Sequence, residues 1–141
     1  MTIDPNLDAT QIRQGVLHLS RRLRAEKADN ELSDGQFSVL ACLYRHGAHT
    51  LGGLAEHERV SPPSMNRTVN CLEGSGYVER AADPTDGRRV LISLTPEGHD
   101  MVARTVVQRD AWIDTRLRDL SPEERETLTR AAEIMRRLAT A

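Results

Sequence analysis

The residues of this chain best suited to chemistry are Arg88 and Arg89, which close the segment Asp83-Pro-Thr-Asp-Gly-Arg-Arg. Pro84 and Gly87 mark a turn, and Val90, Ile92 and Leu94 then recur at every second position, so Asp83 to Leu94 predicts a hairpin tip running into a half-buried strand. A core has no use for two guanidinium groups at such a tip, whereas their planar forks suit phosphate oxygens or a minor groove. A second set lies upstream. Ser61-Pro62-Pro63-Ser64 opens a helix, with Ser61 as cap and Pro62 in the first turn, where a missing N–H is harmless. At 100° per residue, Pro63, Ser64, Arg67 and Asn70 fall opposite the apolar stripe Met65, Val69 and Leu72, with Asn66 and Cys71 on the flanks. Ser61 and Ser64 are short enough for backbone N–H groups to approach a phosphate, and Arg67 is long enough to reach a base edge. The chemistry suggested is recognition of duplex DNA; taken alone, the same segment also reads as an ordinary capped surface helix.

Hydrophobic spacing supplies the scaffold. Ile12, Val16, Leu19 and Leu23 predict an amphipathic helix over about Asp8 to Ala28, with Arg13, Arg21, Arg22, Arg24 and Lys27 on its other face. Ser33 and Gln36 match a capping box for a second helix with the stripe Phe37, Leu40, Ala41 and Tyr44, stopped by Gly47 in left-handed backbone. Thr50 caps a short third helix, Leu51 to Glu58, whose Gly52 and Gly53 make it depend on packing. Gly74-Ser-Gly76 ends the Ser61 helix, and Tyr77 to Ala82 and Arg89 to Leu94 form the arms of an isolated ribbon that must lean on helices. Thr95-Pro96 begins a fifth helix reaching about Leu120. Ser121 and Glu124 cap a sixth, with Leu128, Ala131, Ala132, Met135 and Leu138 along one face. The expected fold is mainly α with a small β-hairpin.

Composition narrows the function classes. The 141 residues, 38% of them hydrophobic and with a single Phe and a single Trp, allow one domain with an aliphatic core of helices packed on helices. A formal net charge of -2 excludes binding nucleic acid by bulk attraction, so charge must act locally. Lys27 is the only lysine; arginine is the better groove reader, although genomic base composition produces the same bias. Cys42 and Cys71 form no Cys-x-x-Cys pair, which argues against a disulfide framework or a thiolate zinc site. No segment approaches the ~20 apolar residues of a membrane span, and a soluble, cytoplasmic protein without cofactor is the expectation. Enzymatic function is disfavoured: no Ser-His-acid arrangement suggests itself, and the serines serve better as helix caps.

The order of these signals resembles the MarR family of winged-helix transcription regulators over essentially the whole chain. The matching residues are Ser61-Pro-Pro-Ser-Met-Asn-Arg-Thr-Val, Leu72-Glu-Gly-Ser-Gly-Tyr-Val-Glu-Arg80 and Asp83 to Gly98, the last similar to the family's wing. The resemblance implies a single unit with a winged helix-turn-helix lobe over about 33–94 and a helical dimerisation region over about 1–32 and 95–141. It implies a homodimer gripping a pseudo-palindromic operator, most often as a repressor. Asp86 would hold Arg88 at the wing tip, with Arg88 or Arg89 on DNA. The apolar surplus of the last two helices agrees, and Trp112, Ile113, Leu117, Leu128, Ile134 and Leu138 are candidate interface residues.

The resemblance also implies control by a small aromatic acid or phenol, or by cysteine oxidation. His18, Arg21 and Arg22 on the first helix, with Tyr44 and Arg45 on the second, are candidate ligand residues, an anion partner beside an aromatic wall. No cysteine stands near the start of the first helix, where peroxide-sensing relatives carry theirs, and Cys71 reads as a buried, inert thiol before a redox reporter. His46, His49 and His57 lie close in sequence without a supporting Asp or Cys arrangement, so no metal site is assigned. A winged-helix module that binds protein is the alternative from another class. It would need an apolar outer face on the Ser61 helix.

Overall fold

The computed structural model describes residues 5–141. These form six helices and one hairpin: α1 (Pro5–Ala25), α2 (Asp34–His46), α3 (Leu51–Glu58), α4 (Pro62–Gly74), β1 (Val78–Ala82), β2 (Val90–Leu94), α5 (Pro96–Leu117) and α6 (Pro122–Thr140). The caps at Ser33, Thr50, Ser61, Thr95 and Ser121 are all in place, each side chain accepting from a backbone N–H in the first turn of its helix. This is the mainly helical fold with a hairpin wing that the spacing predicts. No helix among the described residues is long and apolar enough to cross a membrane.

The core lies where α2, α3, α4, the hairpin and the start of α5 meet. Leu40, Leu54, Met65, Val69, Leu72, Ile92 and Met101 are essentially inaccessible there, and among the described residues α1 and α6 contribute none to it. The α2 stripe differs from expectation. Tyr44 is exposed, its ring stacked on His99 at 4.8 Å, while Val39, Cys42 and Leu43 turn inward because neighbours cover α2 on two sides. Gly47 closes α2 with φ 81 and ψ -167, outside the left-handed helical region but equally reserved for glycine.

Three helix boundaries also shift, the first being the start of α1, at Pro5 rather than about Asp8. α1 stops at Ala25 rather than Ala28 because α5 captures the following backbone: Arg109 Nε donates to Glu26 O at 3.0 Å, and Ala28 N donates to Thr105 Oγ1 at 3.0 Å. α5 ends at Leu117, three residues short of the expected Leu120, in a turn closed by Leu120 N donating to Leu117 O.

The hairpin pairs Val78 with Leu94, Arg80 with Ile92 and Ala82 with Val90. It is less isolated than the sequence suggests, because His49 and Ile92 exchange both backbone hydrogen bonds, at 3.1 and 2.7 Å, and occupy the outer edge of β2. Ile92 is buried and Leu94 half-buried, but Val90 lies out toward the tip, beyond any supporting helix, and is exposed.

Candidate nucleic-acid interface

α4 turns its apolar stripe inward and a polar row outward. Met65, Val69 and Leu72 are buried; Pro63, Arg67 and Asn70 are exposed, and Ser64 and Asn66 half-covered. Ser61 Oγ accepts from Ser64 N at 3.2 Å. No acidic residue occupies the first turn, so the positive end of the helix dipole is unopposed locally, a favourable setting for a phosphate. The face has no apolar patch of the sort a protein partner would need, and its exposed Cys71 corrects the expectation of a buried thiol at that position.

Beside this row stands the hairpin, tied to it by a residue absent from the candidate set. Arg80 shares a face of β1 with buried Val78. Its Nη2 donates to Asn70 Oδ1 at 2.6 Å and to Asn66 Oδ1 at 3.3 Å, while Nε lies 3.7 Å from Glu73 Oε1. One strand arginine thus spans two turns of α4. The only trace in the sequence is the alternation Val78, Arg80, Ala82, which puts an arginine on the inward face of a strand.

The tip is held by carboxylates acting on backbone. Asp86 Oδ1 accepts from Arg88 N at 3.1 Å and Asp86 O from Arg89 N at 3.0 Å. Asp86 therefore holds Arg88 at the tip through its main chain, with no bond to the Arg88 guanidinium among the described residues. Asp83 accepts from Thr85 N and Oγ1 at 2.9 and 2.8 Å, and these bonds hold its carboxyl below the usual range. Arg89 Nε stands 3.9 Å from Asp83 Oδ2, a loose pair at the surface. Both arginine heads are thus presented outward on a stiffened turn.

The description of the MarR family matches residues 32–90, from the end of the α1–α2 linker to the start of β2. A curated relative from Mycobacterium bovis, the uncharacterised HTH-type transcriptional regulator Mb0904, is 40% identical over 90% of this chain and 89% of its own length.

The chain belongs to the MarR family.

It is a DNA-binding transcriptional regulator of that family. Among solved structures, RV1404 from Mycobacterium tuberculosis superposes with a TM-score of 0.87 at 26% identity, covering 99% of this chain and 97% of that one. PcaV from Streptomyces coelicolor, solved in complex with its natural ligand, shares the fold at a TM-score of 0.66 and 22% identity, covering 100% of this chain and 98% of its own.

In this MarR regulator the five candidate ligand residues do not converge. His18 and Arg22 line an open cavity of about 390 Å³ with Trp112 and Arg116. There the Arg116 guanidinium stacks on Trp112 at 3.7 Å, and the indole Nε1 is buried without an acceptor among the described residues. Tyr44 packs on His99, and Arg21 is exposed on α1 without lining the cavities around its neighbours. Arg45 belongs to a different cavity of about 430 Å³ at the junction of α1, α2, α3 and α5, with Arg24, Phe37, Ser38, Glu58 and Arg109 in its wall. Arg109 lies over the Phe37 ring at 4.3 Å. Burial pulls its guanidinium below the ordinary value; Arg24 and Arg45 add repulsion, and Asp34 opposes. Sequence spacing missed Arg24 and Arg109 as a pair, because the α1–α5 contact is long-range.

The remaining titratable groups form no such convergence. Cys42 sits in the same wall, and burial, helped by Glu58, pushes its thiol up, which makes it a poor nucleophile. His46 and His57 approach at 5.9 Å between ring centres, yet no group of His, Cys, Asp and Glu among the described residues has metal-binding geometry.

Proposed function

We propose that this regulator is an operator-binding homodimeric repressor, with the outer face of α4 in a major groove and the hairpin tip of each subunit in the adjacent minor groove. The observation that carries the reading is the polar outer row of α4 clasped to the hairpin through Arg80. A helix and a wing fixed relative to one another present Arg67, Asn70, Arg88 and Arg89 as one surface. Asn66 adjoins Asn70 on it, Ser61, Pro63 and Ser64 line its phosphate side, and Asp86 keeps the tip in shape. Little is lost in ordering the backbone of the tip on binding, since hydrogen bonds already define it.

Homodimerisation is supported by surface that one chain leaves uncovered. Ile12 is 59% exposed and Leu138 68% exposed, and Val16, Leu19, Leu128, Ile134 and Met135 are exposed as well. The chain as a whole exposes 10131 Å², where a compact monomer of 15.7 kDa exposes about 7,300 Å². An excess of this size matches what obligate subunits bury.

Release by a small aromatic acid or phenol completes the proposal. Its best-supported seat is the cavity of Arg24, Arg45 and Arg109, where an anion relieves the repulsion among three guanidiniums and Phe37, its ring covered by Arg109, adds apolar wall. An occupant there touches α1, α2 and α5 together, so it bears on how the winged lobe sits against the helical region. The deciding experiment is capture of genomic fragments on the purified protein, repeated with a series of benzoates and phenols. Recovery of a pseudo-palindromic site is expected, with loss of capture under at least one anionic aromatic. Fragments retained without sequence preference would refute operator recognition.

A further inference from the structure

Arg80 decides which atoms of two asparagines face outward. A guanidinium has donors and no acceptor, so the amide atom that meets it must be oxygen, and the O/N ambiguity of an isolated Asn disappears. Nη2 engages Oδ1 of Asn70 at 2.6 Å and Oδ1 of Asn66 at 3.3 Å. The free end of each amide is then Nδ2. Neither Nδ2 has a protein acceptor among the described residues, and Asn70 is the more exposed of the two. Glu73, 3.7 Å from Arg80 Nε, takes the remaining side of the guanidinium.

We propose that Arg80 sets the base preference of α4 by turning the amide oxygen of Asn70, and secondarily of Asn66, to the hairpin, so that the amide N–H groups lead toward the groove. An asparagine selects adenine by two simultaneous bonds, accepting from N6 and donating to N7. Asn70 keeps a second lone pair on its oxygen, but the bond from Arg80 turns that atom toward the hairpin, and the paired bonds to adenine need oxygen and nitrogen edge-on to the base together. Its amide N–H groups instead match O6 and N7 of guanine or O4 of thymine, which ask only for donors. Arg80 touches no base in this arrangement; it is a positioning residue on the wing that edits the code of the helix. The inference rests on the reading of α4 as the helix that enters the major groove.

The test is selection of bound duplexes from a random pool by the full-length protein, comparing wild type with Arg80→Met, Arg80→Lys, Asn70→Asp and Arg67→Ala. Wild type is expected to enrich guanine or thymine at the Asn70 position. Arg80→Met frees the amide oxygen and shifts that position toward adenine by about tenfold, whereas Arg80→Lys, whose ammonium is also donor-only, keeps the wild-type preference. Asn70→Asp still accepts from Arg80 but offers no donor, and moves the position toward cytosine, whose N4 donates. An unchanged Arg80→Met motif overturns the proposal. So does a uniform fall in affinity with a shallower salt dependence, which would make Arg80 a phosphate contact. If Arg80→Met does not fold, Asn70→Asp decides: an unaltered motif overturns the proposal, provided Arg67→Ala alters it elsewhere. If Arg67→Ala also leaves the motif unaltered, the fault lies in the underlying reading of α4.

Discussion

Arg67 and Arg88 carry the same charge at positions that ask different things of it. Arg67 projects from the second turn of a helix whose opposite face is fully buried, so it meets whatever α4 meets at a fixed height. Arg88 stands on a turn whose backbone is bonded to Asp86, and its head moves more freely than its main chain. A positioned guanidinium reads bases and a mobile one neutralises phosphates. Arg67→Ala is therefore expected to lower the ratio of operator to random-duplex affinity about tenfold, whereas Arg88→Ala lowers both affinities alike and reduces the salt slope by about one. Fluorescence anisotropy on both duplexes across a salt series separates the two; equal loss of discrimination in both variants would contradict the division. Another residue pair reports on stability. Tyr77 Oη donates to Asp29 Oδ2 at 2.7 Å, joining the base of the hairpin to the α1–α2 linker. That bond is the first cause lowering the Asp29 carboxyl below its ordinary value and the first cause raising the Tyr77 phenol. A depressed carboxyl stabilises the fold above its unfolded value and loses the contribution as pH falls through the folded one. A raised phenol contributes below its unfolded value and loses it as pH rises through the folded one. The bond is thus at full strength between about pH 4 and pH 10. Tyr77→Phe is expected to destabilise by about 1 kcal/mol at pH 7, measured by urea unfolding, with the deficit against wild type shrinking below pH 4. A deficit independent of pH would mean that the hydroxyl acts through packing.

Where elements meet, the tightest contact is the start of α5 against the hairpin. A Cβ on Gly98 would stand 2.1 Å from Tyr77 O and 2.9 Å from Tyr77 C. Thr95 N donates to that same carbonyl at 3.1 Å, so the α5 cap and β1 share one peptide group. Main chain cannot yield as a flexible side chain does. Gly98→Ala is expected to cost about 2 to 3 kcal/mol with an unchanged denaturant slope, as read by urea unfolding. A fully stable Gly98→Ala protein would show that α5 can tilt freely on the wing. This contact marks the limit of what was legible in the sequence. The starts of α2 to α6 were readable because each depends on a cap within three residues, as Ser33 with Gln36 or Ser121 with Glu124. Helix ends were less so: α1 closes where Thr105 and Arg109, some eighty residues away, take its backbone groups. The outer row of α4 followed from a helical wheel. Arg80 did not, since its partners lie ten and fourteen residues away on another element. The candidate ligand residues were grouped by shared helices, and packing sends His18 and Arg22 to one cavity and Arg45 to another, while Arg21 and Tyr44 line neither.

On the scale of the whole molecule the winged lobe has a closed core, while α1 and α6 do not. α6 has no buried residue, yet it is capped at its start and keeps an apolar face along its length. A helix of that composition is stable only when the face is covered. Between it and α1 runs an apolar groove of about 740 Å³, lined by Ile12, Val16, Leu19, Ile113, Leu128 and Met135. Isologous pairing of two chains covers such a groove with the same groove of the partner. If two chains pair through this groove, as proposed, charges placed there leave the lobe folded and separate the subunits. The double variant Leu128→Glu, Met135→Glu is expected to sediment as a monomer with the hairpin and α4 intact by amide exchange. Two linked lobes bind a palindrome with an affinity that reflects their high mutual concentration, so separating them lowers operator affinity about a hundredfold or more. Affinity for an isolated half-site should stay within about twofold, because α4 and the hairpin tip belong to one chain. Equal losses on operator and half-site would mean that the helical region shapes the DNA-binding surface itself. A dimeric double variant would mean that subunits associate through a different face.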